Sequence, residues 1–215
     1  MSMRKGKFIT FEGPDGSGKT TISKYIAEEL EKMGYDVIYS REPGGIDIAE
    51  QIRDVVLNPK NTAMDPKTEA LLYAASRRQH FVEKIKPALL AGKIVICDRF
   101  VESSLAYQGC GRGLGIDEIY RINEFAIEGW LPDATIFLDV PPELGLERVE
   151  SRSISKDRLD QETTEFHKRV YEGYQEVLRR YAYRIDIVDA SKDVETVKAD
   201  ALQLVLSKVK NNDSY

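Results

Sequence analysis

The sequence predicts an α/β fold with a mostly parallel sheet flanked by helices. Two observations carry this expectation. Five short runs rich in Val, Ile and Phe alternate with longer stretches of helical periodicity. Strands spaced by helices imply crossover connections, and those make the strands parallel. A third observation sets the scale: 215 residues at 42% hydrophobic and 31% charged fit one domain with a sizeable core. The expectation is a single domain over residues 1–215, with a mobile lid around 148–160.

In chain order, "KFITFE" (7–12) is the first expected strand, and a Gly-rich turn leads from it into a helix over 18–33. "DVIYS" (36–40) is the second strand. "REPGG" (41–45) follows, where Pro43-Gly44-Gly45 forces a turn. Helical patterns run over 47–57 and 66–91. "IVICD" (94–98) is the third strand, and a helix is expected over 116–129. "ATIFLDV" (134–140) and "RIDIVD" (184–189) complete the strands. The remaining helical patterns cover 142–151, 161–182 and 192–209. The polar tail at 211–215 is expected to fray. In such sheets ligands sit at the carboxyl ends of the strands, so the chemistry is expected just after each strand.

Composition excludes several classes. With 31 basic against 36 acidic residues and a net charge of −5, a bulk nucleic-acid binder is not expected, though a local cationic pocket is allowed. Cys97 and Cys110 make no disulfide framework, and no Cys/His spacing suggests zinc. His80 and His167 read as structural or surface residues. No signal peptide and no run of about 20 apolar residues is visible, so a cytoplasmic protein without a membrane partner is expected.

Gly13 to Thr20, "GPDGSGKT", matches G-x-x-x-x-G-K-[ST] between a strand and a helix, the context a phosphate-binding loop requires. Bare backbone N–H groups and the helix N-terminus suit phosphate oxygens. Gly13, Pro14, Asp15, Gly16, Ser17, Gly18, Lys19, Thr20 and Thr21 are therefore the ATP-side candidates. Lys19 is expected on the β/γ-phosphates and Thr20 on Mg²⁺. Asp98, ending the third strand, suits Mg²⁺ as a hard oxygen ligand. Arg99 offers a planar fork to a second phosphate, although the neighbours also read as a strand-end ion pair. Arg41 and Glu42 fall at another carboxyl edge. Arg148, Arg152 and Arg158 belong either to a solvated linker or to a lid that swings onto a triphosphate. Tyr73 and Arg77 stand four apart on one helix face. Ser104, Tyr107 and Gln108 share another, and Gln108 can donate and accept at once.

These pieces assemble into a resemblance. "FITFEGPDGSGKTT", "REPGG", "TEALLYAASRRQH", "CDRFVESSLAYQG", "GRGLG" and "RLDQE" occur in order, and from about residue 7 to 208 the chain resembles the thymidylate kinase family. The resemblance implies a three-layer P-loop NTPase fold with a five-stranded parallel sheet, and the reaction ATP + dTMP giving ADP + dTDP with Mg²⁺. It implies Asp15 at the deoxyribose 3′-hydroxyl, Glu42 and Arg53 on the acceptor side with Arg53 near the monophosphate, and Arg99 on the acceptor phosphate. Tyr73 takes the place of the usual Phe that stacks on thymine. Arg77 resembles the thymine O4 ligand, and Ser104 and Gln108 the residues that line the base and read N3. Tyr107 resembles the aromatic residue that crowds the 2′ position. The family is usually homodimeric. Two departures stand out. Gly16 occupies a place where one branch has arginine, and this chain instead resembles the branch with lid arginines. Phe100 stands where Tyr is frequent. The rival reading is a UMP/CMP-type kinase. A nucleotide-hydrolysing switch would carry N-K-x-D, which is missing from the sequence.

Overall fold

The structure, a computed structural model, describes residues 6–151 and 157–210. Its centre is a five-stranded parallel sheet in the order β2-β3-β1-β4-β5. The strands are β1 (Lys7–Glu12), β2 (Val37–Arg41), β3 (Ile94–Asp98), β4 (Ala134–Asp139) and β5 (Ile185–Asp189). All five lie within one residue of the expected bounds. The helices are α1 (Lys19–Lys32), α2 (Asp47–Leu57), α3 (Pro66–His80), α4 (Lys86–Leu90), α5 (Val101–Ser104), α6 (Ile116–Ile127), α7 (Pro142–Glu150), α8 (Thr164–Arg180) and α9 (Val194–Lys210).

Both sheet faces are covered. Along β1 and β3 successive residues alternate between two cores, as the two-residue period of a strand requires. Phe8, Val95, Cys97 and Phe137 face the side built by α3, α4, α5, α6 and α8. Ile9, Phe11, Ile94, Ile96, Ile136 and Leu138 face α1 and α9. This is the expected three-layer arrangement.

The parallel register places the functional edge. Phe11 and Arg41 both stand level with Asp98. The chain therefore leaves β1, β2 and β3 side by side, into the phosphate loop, the "REPGG" turn and Arg99.

Two of the expected helical regions contain π-helical segments. The pattern over 66–91 is helical but includes a π-helical segment, Phe81–Ile85, between α3 and α4. Residues 101–111, where Ser104, Tyr107 and Gln108 were expected to share a helix face, are helical as α5 followed by a π-helical segment, Leu105–Gly111. Packing on α8 explains the second. A Cβ at Gly173 would lie 2.7 Å from the Cys110 Cβ and 3.1 Å from the Ala106 Cα, so two backbones approach where propensity alone predicts little. Helix α8 starts at Thr164 rather than 161 because the Thr163 hydroxyl caps the Phe166 N–H at 3.2 Å. Among the described residues, no helix is long and apolar enough to cross a membrane. Much of the expected lid segment, Arg152 included, lies outside the described residues.

Candidate active site

The phosphate loop links β1 to α1. Its residues Asp15, Gly16, Gly18, Lys19, Thr20 and Thr21, with Arg99, line a cavity of about 330 Å³. Gly13, Pro14 and Ser17 form the loop backbone behind it. Gly16 has φ +79°, and a Cβ there would lie 2.1 Å from the Gly145 carbonyl oxygen on α7. A Cβ on Gly145 would in turn meet the Asp15 carbonyl oxygen at 2.5 Å. Helix α7 thus docks backbone to backbone against the loop, and this chain has no room for an arginine at position 16. Arg148, one turn along α7, supplies a cation nearby. Its Nη1 donates to the Ala190 carbonyl at 2.9 Å and to the Gly16 carbonyl at 3.4 Å.

Lys19 is 6% exposed, and its Nζ donates to the Pro14 carbonyl at 2.7 Å and the Ser17 hydroxyl at 3.3 Å. Burial, reinforced by Arg99, brings its pKa down to about 7 despite the attraction of Asp15, Asp98 and Glu12. The Thr20 hydroxyl donates to Asp98 Oδ2 at 2.5 Å. One hydroxyl and one carboxylate are hard oxygen donors that suit Mg²⁺, which is commonly held by one or two carboxylates together with phosphates and water. Among the described residues no cluster of three His, Cys, Asp or Glu competes for a metal.

A second cavity, of about 710 Å³, opens beside the first. All the acceptor-side candidates line it: Asp15, Glu42, Arg53, Tyr73, Arg77, Arg99, Ser104, Tyr107 and Gln108. Asp15 and Arg99 line both cavities and form the wall between them. They pair directly through Arg99 Nη2 and Asp15 Oδ1, and the Tyr107 hydroxyl donates to Asp15 Oδ2 at 2.6 Å. Burial opposes ionisation of Asp15, but Arg99, Lys19 and the Tyr107 hydrogen bond outweigh it and hold the pKa at about 2. Arg77, 2% exposed, is fixed on every side. Its Nε donates to Glu42 at 2.7 Å, Nη1 to Ser104 at 2.9 Å and to Asn123, and Nη2 to the Phe100 carbonyl at 2.8 Å. Arg53 Nη1 donates to the Pro43 carbonyl at 3.0 Å.

The sequence and fold that build these two cavities have counterparts in known proteins. A thymidylate kinase profile matches residues 11–201. The chain belongs to the thymidylate kinase family. It is 56% identical over 208 residues to a thymidylate kinase of Bacillus licheniformis, covering 96% of this chain and 98% of that one. Against the thymidylate kinase of Clostridium novyi it is 56% identical over 196 residues, 91% and 96% of the two chains. The crystal structure of thymidylate kinase from Ehrlichia chaffeensis superposes with a TM-score of 0.75 at 34% identity, over 93% of this chain and 98% of that one.

Arg158, one of the three arginines expected either in a solvated linker or in a lid, is 7% exposed. Its Nε donates to the Val56 carbonyl at 2.8 Å and its Nη2 to Glu69 at 2.6 Å, so its main donors are spent away from the phosphate loop.

Several supporting residues complete the site, among them His80, which was expected to be structural or surface and is structural. His80 is fully buried beneath Glu42: its Nδ1 shares a hydrogen bond with Glu42 Oε1 at 2.9 Å, and its Nε2 shares one with the Ser40 hydroxyl at 2.7 Å. Burial opposes ionisation of Glu42, but Arg77 and His80 draw its pKa below the usual carboxylate range, which makes it the acceptor from both. Glu12, at the end of β1, accepts from the Phe100 N–H at 2.7 Å and the Ser103 hydroxyl at 2.5 Å. It thereby anchors the backbone just after Arg99, whose φ of +70° is left-handed. Burial, aided by Glu102, raises Glu12 to about 7. A Glu before a glycine loop carries no periodic signal, and the sequence offers none for Glu69 or Asn123 either.

Proposed function

We propose that this chain is an ATP-dependent dTMP kinase, moving the γ-phosphoryl group of ATP to dTMP to give dTDP and ADP on the way to dTTP. The observation that carries the reading is the wall of Asp15 and Arg99 between the two cavities. It leaves a donor and an acceptor site separated by a single cation and a single acid.

The acceptor is a phosphate monoester with a second pKa of about 6, so it is largely dianionic at neutral pH and needs no general base. The work is to hold two anions in line and screen their repulsion. Lys19 exchanges the Pro14 carbonyl for a phosphate oxygen and regains its full charge as it does so. Arg99 grips the acceptor phosphate from the shared wall, with Arg53 beside it on the acceptor side. Asp15 retains lone pairs beyond those used by Arg99 and Tyr107 and accepts from the sugar 3′-hydroxyl. Thr20 and Asp98 would hold Mg²⁺, which when bound neutralises charge on the β- and γ-phosphates. Arg148, at the back of the loop, is the arginine placed to add positive charge on the nucleotide side. Tyr73 gives the base a face, and Arg77, Ser104 and Gln108 give it an edge. A lid over 148–160 that excludes water and a homodimeric assembly complete the reading.

The test is ADP formation with Mg·ATP against dTMP, dUMP, UMP, dCMP and thymidine. Strong preference for dTMP with little turnover in its absence is the expected result. Preference for UMP or dCMP would keep the phosphate chemistry and overturn the base-site assignments.

A further inference from the structure

Gln108 lines the acceptor cavity but is 1% exposed, so its amide cannot choose its orientation from solvent. Its Nε2 donates to Glu69 Oε1 at 2.8 Å. Glu69, 1% exposed, lies under the cavity wall on α3 and also accepts from Arg112 Nη2 at 3.0 Å and Arg158 Nη2 at 2.6 Å. Burial opposes its ionisation, but the hydrogen bonds from Arg112, Gln108 and Arg158 lower its pKa below the ordinary value. An ionised carboxylate only accepts, so the group facing it must be the amide NH₂. The Oε1 of Gln108, which has no partner among the described residues, is left for the cavity.

Arg77 completes the pattern. Of its five N–H groups, four are used by Glu42, Ser104, Asn123 and the Phe100 carbonyl, which leaves one on Nη2. The wall therefore offers an acceptor on Gln108 and a donor on Arg77. A thymine or uracil ring presents the complement, an N3–H beside a C4 carbonyl. Cytosine presents the reverse, a bare N3 beside an amino group. An amide turned through half a revolution would show its NH₂ to the base and suit cytosine's N3 instead.

We propose that Glu69 is a specificity-determining positioning residue: it locks the Gln108 amide with its oxygen toward the base, and so selects pyrimidines that carry N3–H. This rests on the reading that the larger cavity takes a pyrimidine nucleotide. Glu69 touches no substrate. It acts through Gln108, and its two arginines keep it charged.

The test compares Kd for dUMP and dCMP, which differ only at the 3,4 edge, by calorimetry on the full chain. The variants are Gln108→Met, Glu69→Gln and the double substitution. Gln108→Met should lower the dUMP:dCMP preference by about tenfold, the worth of one hydrogen bond. Glu69→Gln should lower it similarly, and the double variant no further than Gln108→Met alone. Glu69→Asp preserves the charge for Arg112 and Arg158 but withdraws from Gln108. It should also lower the preference, and it serves as the test if Glu69→Gln does not fold. If Gln108→Met lowers the preference while neither Glu69 variant does, the proposal falls and the base-site reading stands. The proposal also falls if the Glu69 and Gln108 effects simply add, since Glu69 would then act through its arginines. If Gln108→Met leaves the preference unchanged, the base-site reading itself falls.

Discussion

Lys19→Met should make the ligand-free protein more stable while abolishing its chemistry. Burial and Arg99 bring the Lys19 pKa from 10.5 to about 7. At about 1.4 kcal/mol per pH unit, keeping this side chain charged in the fold costs about 5 kcal/mol well below pH 7 and about 4 kcal/mol at pH 7. Met keeps the length and apolar stem but loses the hydrogen bonds to the Pro14 carbonyl and Ser17, worth about 2 kcal/mol together. A net gain of about 2 kcal/mol at pH 7 follows, or roughly 4–8 °C in Tm for a chain of this length. The pH dependence is the sharper check. The unfolded chain holds this proton up to about pH 10.5 and the folded chain only to about 7, so across that window unfolding takes up a proton and wild-type stability rises with pH. The gap between Lys19→Met and wild type should therefore close between pH 7 and 10.5. Urea unfolding of both proteins at pH 6, 7, 8.5 and 10 reads it directly. A variant that is less stable at every pH, or a gap that does not shrink, would refute the reasoning. Phosphates restore the lysine's charge, so ATP binding to wild type should take up about half a proton at pH 7 and more at pH 8, measurable by calorimetry in buffers of different ionisation enthalpy.

Three further predictions follow from the geometry. Gly16→Ala puts a Cβ against the Gly145 carbonyl at a left-handed φ, and should raise KM for ATP at least tenfold while lowering Tm, with KM for dTMP little changed. Arg77→Ala leaves the buried Glu42 short of its charge partner, so it should destabilise the protein by about 3 kcal/mol and raise KM for dTMP but not for ATP; a shift in the ATP value instead would place Arg77 in the wrong site. Arg148→Met should cut kcat far more than it weakens dTMP binding, since the side chain stands behind the phosphate loop and lines neither cavity. Equal losses in both would remove Arg148 from the transfer step.

The strands and the phosphate loop were legible because their signals are local. An apolar run in a buried parallel strand and a G-x-x-x-x-G-K-[ST] turn between strand and helix carry their physics within about ten residues. The acceptor candidates were legible as pairs on helix faces and through family resemblance, and all of them line one cavity. Over residues 101–111 the helix face of Ser104, Tyr107 and Gln108 was legible from spacing, but the π-helical turn was not, because it forms where the backbone packs closely against Gly173 on α8. The contacts of Arg158 were not legible for a similar reason: its sequence neighbours are polar, and only the fold shows that it donates to Glu69, 89 positions away.

By itself the sequence determined the layered α/β architecture, the phosphate loop and the membership these motifs imply, since each depends on spacing along the chain. Tertiary structure alone decided which charges face which. It set Asp15 against Arg99 as the wall between two cavities, stacked His80 under Glu42 under Arg77, and turned the Gln108 amide by means of Glu69. These contacts join residues 35 to 84 positions apart, and they form where burial removes water and leaves each polar group to find its partner in the fold.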